Sequence, residues 1–186
     1  MKNVRSASAS VKNIRVLTVM AMLASLSIVF GKLLAFTAGP FRISFENLPI
    51  LMAGMFLGAP AGFLTGVIAD IIGCLIVGYS INPIITLGAG CIGLISGLLF
   101  RRIPDFPSQC LPEGILRNLI TVLCTHAVGS MIIKSAGLIL YYHYALPQVA
   151  LRIPLYLVIG TVEALIITAL LSNPSFAAQI ERLGRK

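Results

Sequence analysis

The sequence predicts an all-α integral membrane protein, one bundle of six transmembrane helices, on three observations. Of 186 residues, 58% are apolar and 11% charged, against roughly 25% charged in a soluble domain. Apolar windows recur along the whole chain, at about 14–37, 47–59, 61–80, 83–100, 115–141 and 149–172. The basic residues gather at alternate ends of these windows, as the positive-inside bias requires. Six spans joined by short loops use up the length, so residues 1–186 read as a single membrane domain.

The first window follows Lys2, Arg5, Lys12 and Arg15 and superficially resembles a secretion signal. A signal core is only about 7–15 residues. The run from Val16 to Gly31 reaches that limit and continues past Lys32 to Phe36, so it reads as a retained first span. The second window falls short of the roughly 20 residues a crossing needs. It crosses if it is tilted or begins inside the preceding loop; otherwise the count is five. Gly54, Gly58, Gly62 and Gly66 recur every four residues, and Gly93 and Gly97 repeat the spacing with Ala89 before them. Small residues at that interval let helix backbones approach closely in a membrane. Pro60 interrupts the first series and marks a tight turn between spans two and three. Asn82 and Pro83 open the fourth span as cap and first helical residue, after an outer turn over 77–81. Tyr141, Tyr142, His143 and Tyr144 close the fifth at the level of an interfacial aromatic belt.

Orientation follows from charge. The N-terminus, the 58–60 and 101–114 connections, the C-terminus and the adjoining helix ends share one side. They carry Lys2, Arg5, Lys12, Arg15, Arg101, Arg102, Arg117, Arg182, Arg185 and Lys186, ten of the fourteen basic residues. Both termini are therefore expected in the cytoplasm, and the net charge of +8 reflects topology and needs no nucleic acid. Cys74, Cys91, Cys110 and Cys124 are scattered without ligand spacing, and His126 and His143 have no metal-binding context. No metal or cofactor is expected.

Four cations, Lys32, Arg42, Lys134 and Arg152, oppose this bias and fall in the outer half, on the extracellular side. The segment 41–50 alternates Phe41, Ile43 and Phe45 with Arg42, Ser44 and Glu46, the two-residue period of extended chain. One face can pack while the other offers a cation, a hydroxyl and a carboxylate. Asp70 lies nine residues before Tyr79, roughly 13 Å deeper at helical rise. Arg152, Tyr156 and Glu163 share a helical stripe, and Lys134 and Tyr141 share another. One of the deep acids, Asp70 or Glu163, can serve simply to neutralise a base across the bundle. The rest describe a basic mouth above deeper carboxylates, suited to a ligand anionic at one end and a polar heterocycle at the other. The Asn82 amide, besides capping, could pair with such a ring.

These residues resemble the substrate-binding S components of energy-coupling-factor (ECF) vitamin transporters, most closely the folate-specific branch. The telling stretches are residues 42–60, RISFENLPILMAGMFLGAP, and residues 78–88, GYSINPIITLG. The resemblance extends over most of residues 15–172. It implies a high-affinity folate binder in the cell membrane, working with a shared membrane scaffold subunit and two cytosolic ATPases. It also implies docking on that scaffold through a small-residue pair on the first helix, here Ala21 and Ser25 with Ala24 adjacent. With folate as ligand, Arg42, Lys134 and Arg152 are candidates for the glutamyl tail. Asp70, Asn82 and Glu46 are candidates for the pterin, with Phe45, Tyr79 and Tyr156 as packing surfaces.

Other readings are distinguishable. Pantothenate would also use a cationic mouth, whereas riboflavin or thiamine would leave it underused. A self-sufficient proton-coupled carrier, with Asp70 or Glu163 as proton carrier, would be expected to show duplicated halves, and none is evident. No nucleophile–base pair, metal triad or Walker A loop is present in the sequence, so the chain is not expected to be an enzyme.

Overall fold

The structure, a computed structural model, describes residues 13–38, 41–104 and 114–184. The side chains of Thr37, Ala38, Phe41, Arg42, Glu181 and Leu183 lie outside the description. Among the described residues, the regular structure is helical apart from one small hairpin. Helix α1 runs Ile14–Ile28 and continues as a π turn over Val29–Leu33. Strands β1, Phe36–Ala38, and β2, Phe41–Ile43, pair antiparallel, with Phe36 opposite Ile43 and Thr37 opposite Arg42. Helix α2, Asn47–Met52, extends through a second π segment, Ala53–Leu57. There follow α3, Ala59–Val77; α4, Pro83–Arg102; and α5, Ile115–His126. A third π segment, Ala127–Ile133, joins α5 to α6, Lys134–Tyr142. The chain then forms α7, Leu146–Ala150; α8, Arg152–Ser172; and α9, Pro174–Gly184.

Five of these stretches are long and apolar enough to cross a membrane: Ile14–Leu33, Ala59–Val77, Pro83–Arg102, Ile115–Tyr142 and Leu146–Ser172. The sixth apolar helix, Asn47–Leu57, is shorter, about 16 Å at helical rise. Every residue from Asn47 to Leu57 is buried. A helix apolar on all faces must be wrapped by others, and α2 with its π extension supplies half of the main core. Leu48, Ile50, Leu51, Met55 and Phe56 pack there with Ile92, Val122 and Ile167. The first window is shorter than its hydropathy suggests, because Phe36–Ala38 is strand. A short apolar run cannot be told from helix by hydropathy alone.

Glycines set the tightest crossing. A Cβ on Gly54 or Gly62 would run into the Gly93 carbonyl, one on Gly66 into that of Ala89, and one on Gly93 into that of Gly62. The turn before α3 is made by Gly58, at φ 106°, with Pro60 already in the helix's first turn. At the far end of α3, Gly78 adopts φ 75°. Its N–H donates to Leu75 O, and that of Tyr79 to Cys74 O at 2.9 Å, a Schellman closure. It stops α3 and turns the chain toward Asn82.

Candidate ligand site

The two chain reversals carry the C-terminal ends of α1 and α3 and the N-terminal ends of α2 and α4 to one end of the bundle. A small cavity lies there, lined by Ser27, Lys32, Glu46, Asp70, Ala89 and Lys134, with Ile28, Ile50 and Ala69 as its apolar wall. Its space is about 10 Å³, room for roughly one water molecule. Two of the three π segments border it, Val29–Leu33 beside Lys32 and Ala127–Ile133 just before Lys134. Such wide turns recur at functional sites.

Lys134 is the centre of the polar contacts, with a side chain only 5% exposed. Its Nζ donates to Glu46 Oε1 at 3.0 Å and to Asn47 Oδ1 at 3.1 Å. Gly88 makes room for its stem, since a Cβ there would lie 2.8 Å from Lys134 Cγ. Glu46 is fastened a second time, its carbonyl accepting from Ser27 Oγ at 2.6 Å. Gly31 leaves space for its side chain, Cβ to Oε2 being only 2.7 Å if a methyl were added. Across the cavity Asp70 Oδ2 accepts from Thr86 Oγ1 at 2.6 Å. Lys32 lies 5.7 Å from the centroid of the Tyr79 ring, within reach of a cation–π contact.

The sequence candidates divide into groups. Glu46, Asp70 and Lys134 come together in one wall, joined by Lys32, which sequence reasoning counted among the outer cations. Tyr79 is exposed at the rim beneath Lys32, and Phe45 packs partly buried against the core. Asn82 is buried, and both ends of its amide are engaged. Oδ1 accepts from the N–H groups of Ile84 and Ile85, while Nδ2 donates to Gly137 O at 3.2 Å. Arg42 sits in β2 by its backbone, and its side chain lies outside the described residues. Arg152 and Tyr156 contact each other away from the cavity wall, Nη2 donating to the phenol oxygen at 3.0 Å. Glu163 is paired across the bundle with His126, whose Nε2 stands 2.6 Å from Oε2. Tyr141 is exposed whereas Lys134 is buried, so the seven-residue stripe is not buried along all of α6.

On α1, Ala21 and Ser25 face outward, and Ser25 Oγ returns its proton to Ala21 O at 2.9 Å. Ala24, grouped with them from sequence, is instead 6% exposed and turned into the bundle. At helical pitch it stands about 60° from Ala21 and about 100° from Ser25, on the flank of their stripe that turns into the bundle. Sequence reasoning missed Ser27, Asn47, Thr86 and Ala89. None is charged, and only their helix partners reveal them.

A family model described as ECF-type riboflavin transporter, S component, matches residues 8–175. No curated protein matches the chain. Among solved structures, the crystal structure of FolT bound with folic acid is similar, with TM-score 0.66 and 22% identity over 87% of this chain and 94% of that one. The S component described under "Structure and mechanism of the S component of a bacterial ECF transporter" has TM-score 0.62 and 18% identity. There 92% of this chain and 98% of that one are covered. At these identities both are likenesses of fold.

Proposed function

The chain belongs to the ECF-type riboflavin transporter S-component family, and from that premise we propose that it is the folate-binding S component of an ECF-type importer. Membership makes it a substrate-binding subunit of a vitamin transporter and not an enzyme. The observation that favours folate is the mixed charge of one cavity wall, Lys32 and Lys134 beside Glu46 and Asp70. Folate needs both signs. Its glutamyl tail carries two carboxylates, and its pterin offers an amino group and ring N–H donors. Riboflavin, the ligand in the family's description, has no carboxylate and would leave two lysines at bilayer depth without an ionic partner from the ligand. The fold likeness to a folic acid-bound protein points the same way.

In this reading the described state is closed, since the cavity is far too small for a vitamin. A ligand carboxylate replaces Glu46 as the partner of Lys134, and the segment from β1 to the start of α2 moves aside. Arg42 on β2 and Arg152 on α8 complete the anionic end, while Asp70 and Glu46 face the pterin. Asn82 acts behind them as a cap, and Phe45, Tyr79 and Tyr156 supply flat surfaces. The site opens outward from the cell membrane, both termini are cytoplasmic, and α2 is a short sixth crossing. ATP hydrolysis falls to two cytosolic partner subunits through a shared scaffold.

Calorimetric titration of the purified chain with folate, riboflavin and pantothenate tests the ligand. Submicromolar binding selective for folate is expected; selective riboflavin binding would overturn the folate reading while keeping the family. Docking is tested separately on the outward α1 stripe. Ala21→Trp should leave vitamin affinity within about twofold, as for surface changes, and abolish co-purification with the scaffold subunit. A loss of affinity would instead assign that face to the pocket.

A further inference from the structure

Between α5 and α8, five residues are tied into one chain of contacts, of which the ligand reading uses Arg152 and Tyr156 and gives His126, Glu163 and Ser130 no role. His126 and Glu163 are both fully buried. The imidazole meets Glu163 Oε2 through Nε2 at 2.6 Å and Ser130 Oγ through Nδ1 at 3.0 Å. With both nitrogens engaged, the ring cannot turn without losing a hydrogen bond. The ring of Tyr156 packs on it, centroids 5.4 Å apart and planes 31° from parallel. The phenol oxygen accepts from Arg152 Nη2, and the guanidinium carbon lies 5.3 Å from the phenol centroid. Arg152 Nη1 is buried and has no partner among the described residues. Helix α8, which carries Arg152, runs near β2.

We propose that His126 and Glu163 are positioning residues. They lock the ring of Tyr156, and through it hold Arg152 with Nη1 ready for an anionic group of the ligand. A buried histidine–carboxylate pair is costly at bilayer depth unless it serves something. Simple packing would not need an imidazole fixed at both nitrogens. Gly160 supports this account, for a Cβ there would stand 3.1 Å from His126 Cδ2. The space opposite the ring is kept clear.

The ligand arm of the test rests on the folate reading; the spectroscopic arm does not. Glu163→Leu removes the acceptor of Nε2–H, Glu163→Gln retains one, and Gly160→Ala presses the imidazole while leaving every polar group in place. The first readout is the side-chain ¹⁵N signal of Arg152 in ligand-free protein, assigned with Arg152→Lys. The second is affinity for folate and for pteroate, which lacks the glutamyl carboxylates. Glu163→Leu is expected to move or broaden the Arg152 signal and weaken folate about tenfold, the scale of coupling through an intervening residue. Pteroate affinity should stay unchanged, Glu163→Gln should restore both readouts, and Gly160→Ala should fall between. An unmoved Arg152 signal in folded variants, or equal losses for both ligands, would overturn the proposal. If the unmodified chain binds no folate, the folate reading fails, and the Arg152 signal alone decides on positioning. If Glu163→Leu does not fold, Gly160→Ala carries the same readouts.

Discussion

Exchanging Lys134 for methionine should abolish measurable folate binding and loosen the fold at the cavity. Methionine keeps an unbranched stem able to lie over Gly88, so packing is largely preserved and the ammonium is what is lost. That ammonium now joins Glu46 to Asn47 and faces a cavity that Asp70 also lines. Without it, Lys32 is the cation left among the described residues of the cavity wall. Removing one member of a buried pair costs about 3 kcal/mol or more; Glu46 is 24% exposed, so about 2 kcal/mol is the expected loss of stability. Affinity should fall at least a hundredfold, about 3 kcal/mol, since a desolvated charge contact to the ligand goes as well. The double variant Lys134→Met with Glu46→Gln separates the two effects. Thermal unfolding should return near the unmodified value, because the carboxylate that paired with the lost ammonium is neutral as well, while binding should stay absent. A double variant that binds folate normally would remove Lys134 from the site.

The same contacts show what the sequence could and could not reveal. The helical class was legible because hydropathy is a property of single segments. Close helix approach was legible because glycine spacing maps directly onto one helix face. The cap at Asn82 was legible because capping is local, and the structure adds that its amide also donates to Gly137 O. Pairings across helices were a different matter. Lys134 lies 88 positions from Glu46, and His126 lies 37 from Glu163, and no spacing rule specifies such distances. Lys134 and Tyr141 lie in one regular helix, so their spacing was sound; what it could not show is that the last turn carrying Tyr141 is exposed while Lys134 is buried. The hairpin was only half visible. The alternation at 41–45 announced extended chain, but its partner strand at Phe36–Ala38 read as the end of a helix.

Replacing Gly93 with alanine should destabilise the protein more than any single glycine change at the loop ends, and the reason is geometric. A Cβ at Gly93 would collide with the carbonyl oxygen and carbon of Gly62 and stand 2.8 Å from its Cα. Those are backbone atoms within α3, so no rotamer change relieves the contact and the helices must separate. Overpacking of this kind costs about 3 kcal/mol or more where the backbone has to move. The contrast is Gly78→Ala, which meets nothing within 4 Å and suffers only from φ 75°, a backbone cost of about 1 kcal/mol. The consequence also reaches the site. Helix α3 carries Asp70 and α4 carries Thr86, and their 2.6 Å hydrogen bond depends on the spacing that Gly66 and Ala89 set one turn away. Gly93→Ala should therefore lower both the unfolding temperature in detergent and ligand affinity, while Gly78→Ala barely changes affinity. Gly62→Ala added to Gly93→Ala should cost less than its effect alone, because helices already parted have room for the second methyl. Strictly additive losses would mean that the two glycines do not share one crossing.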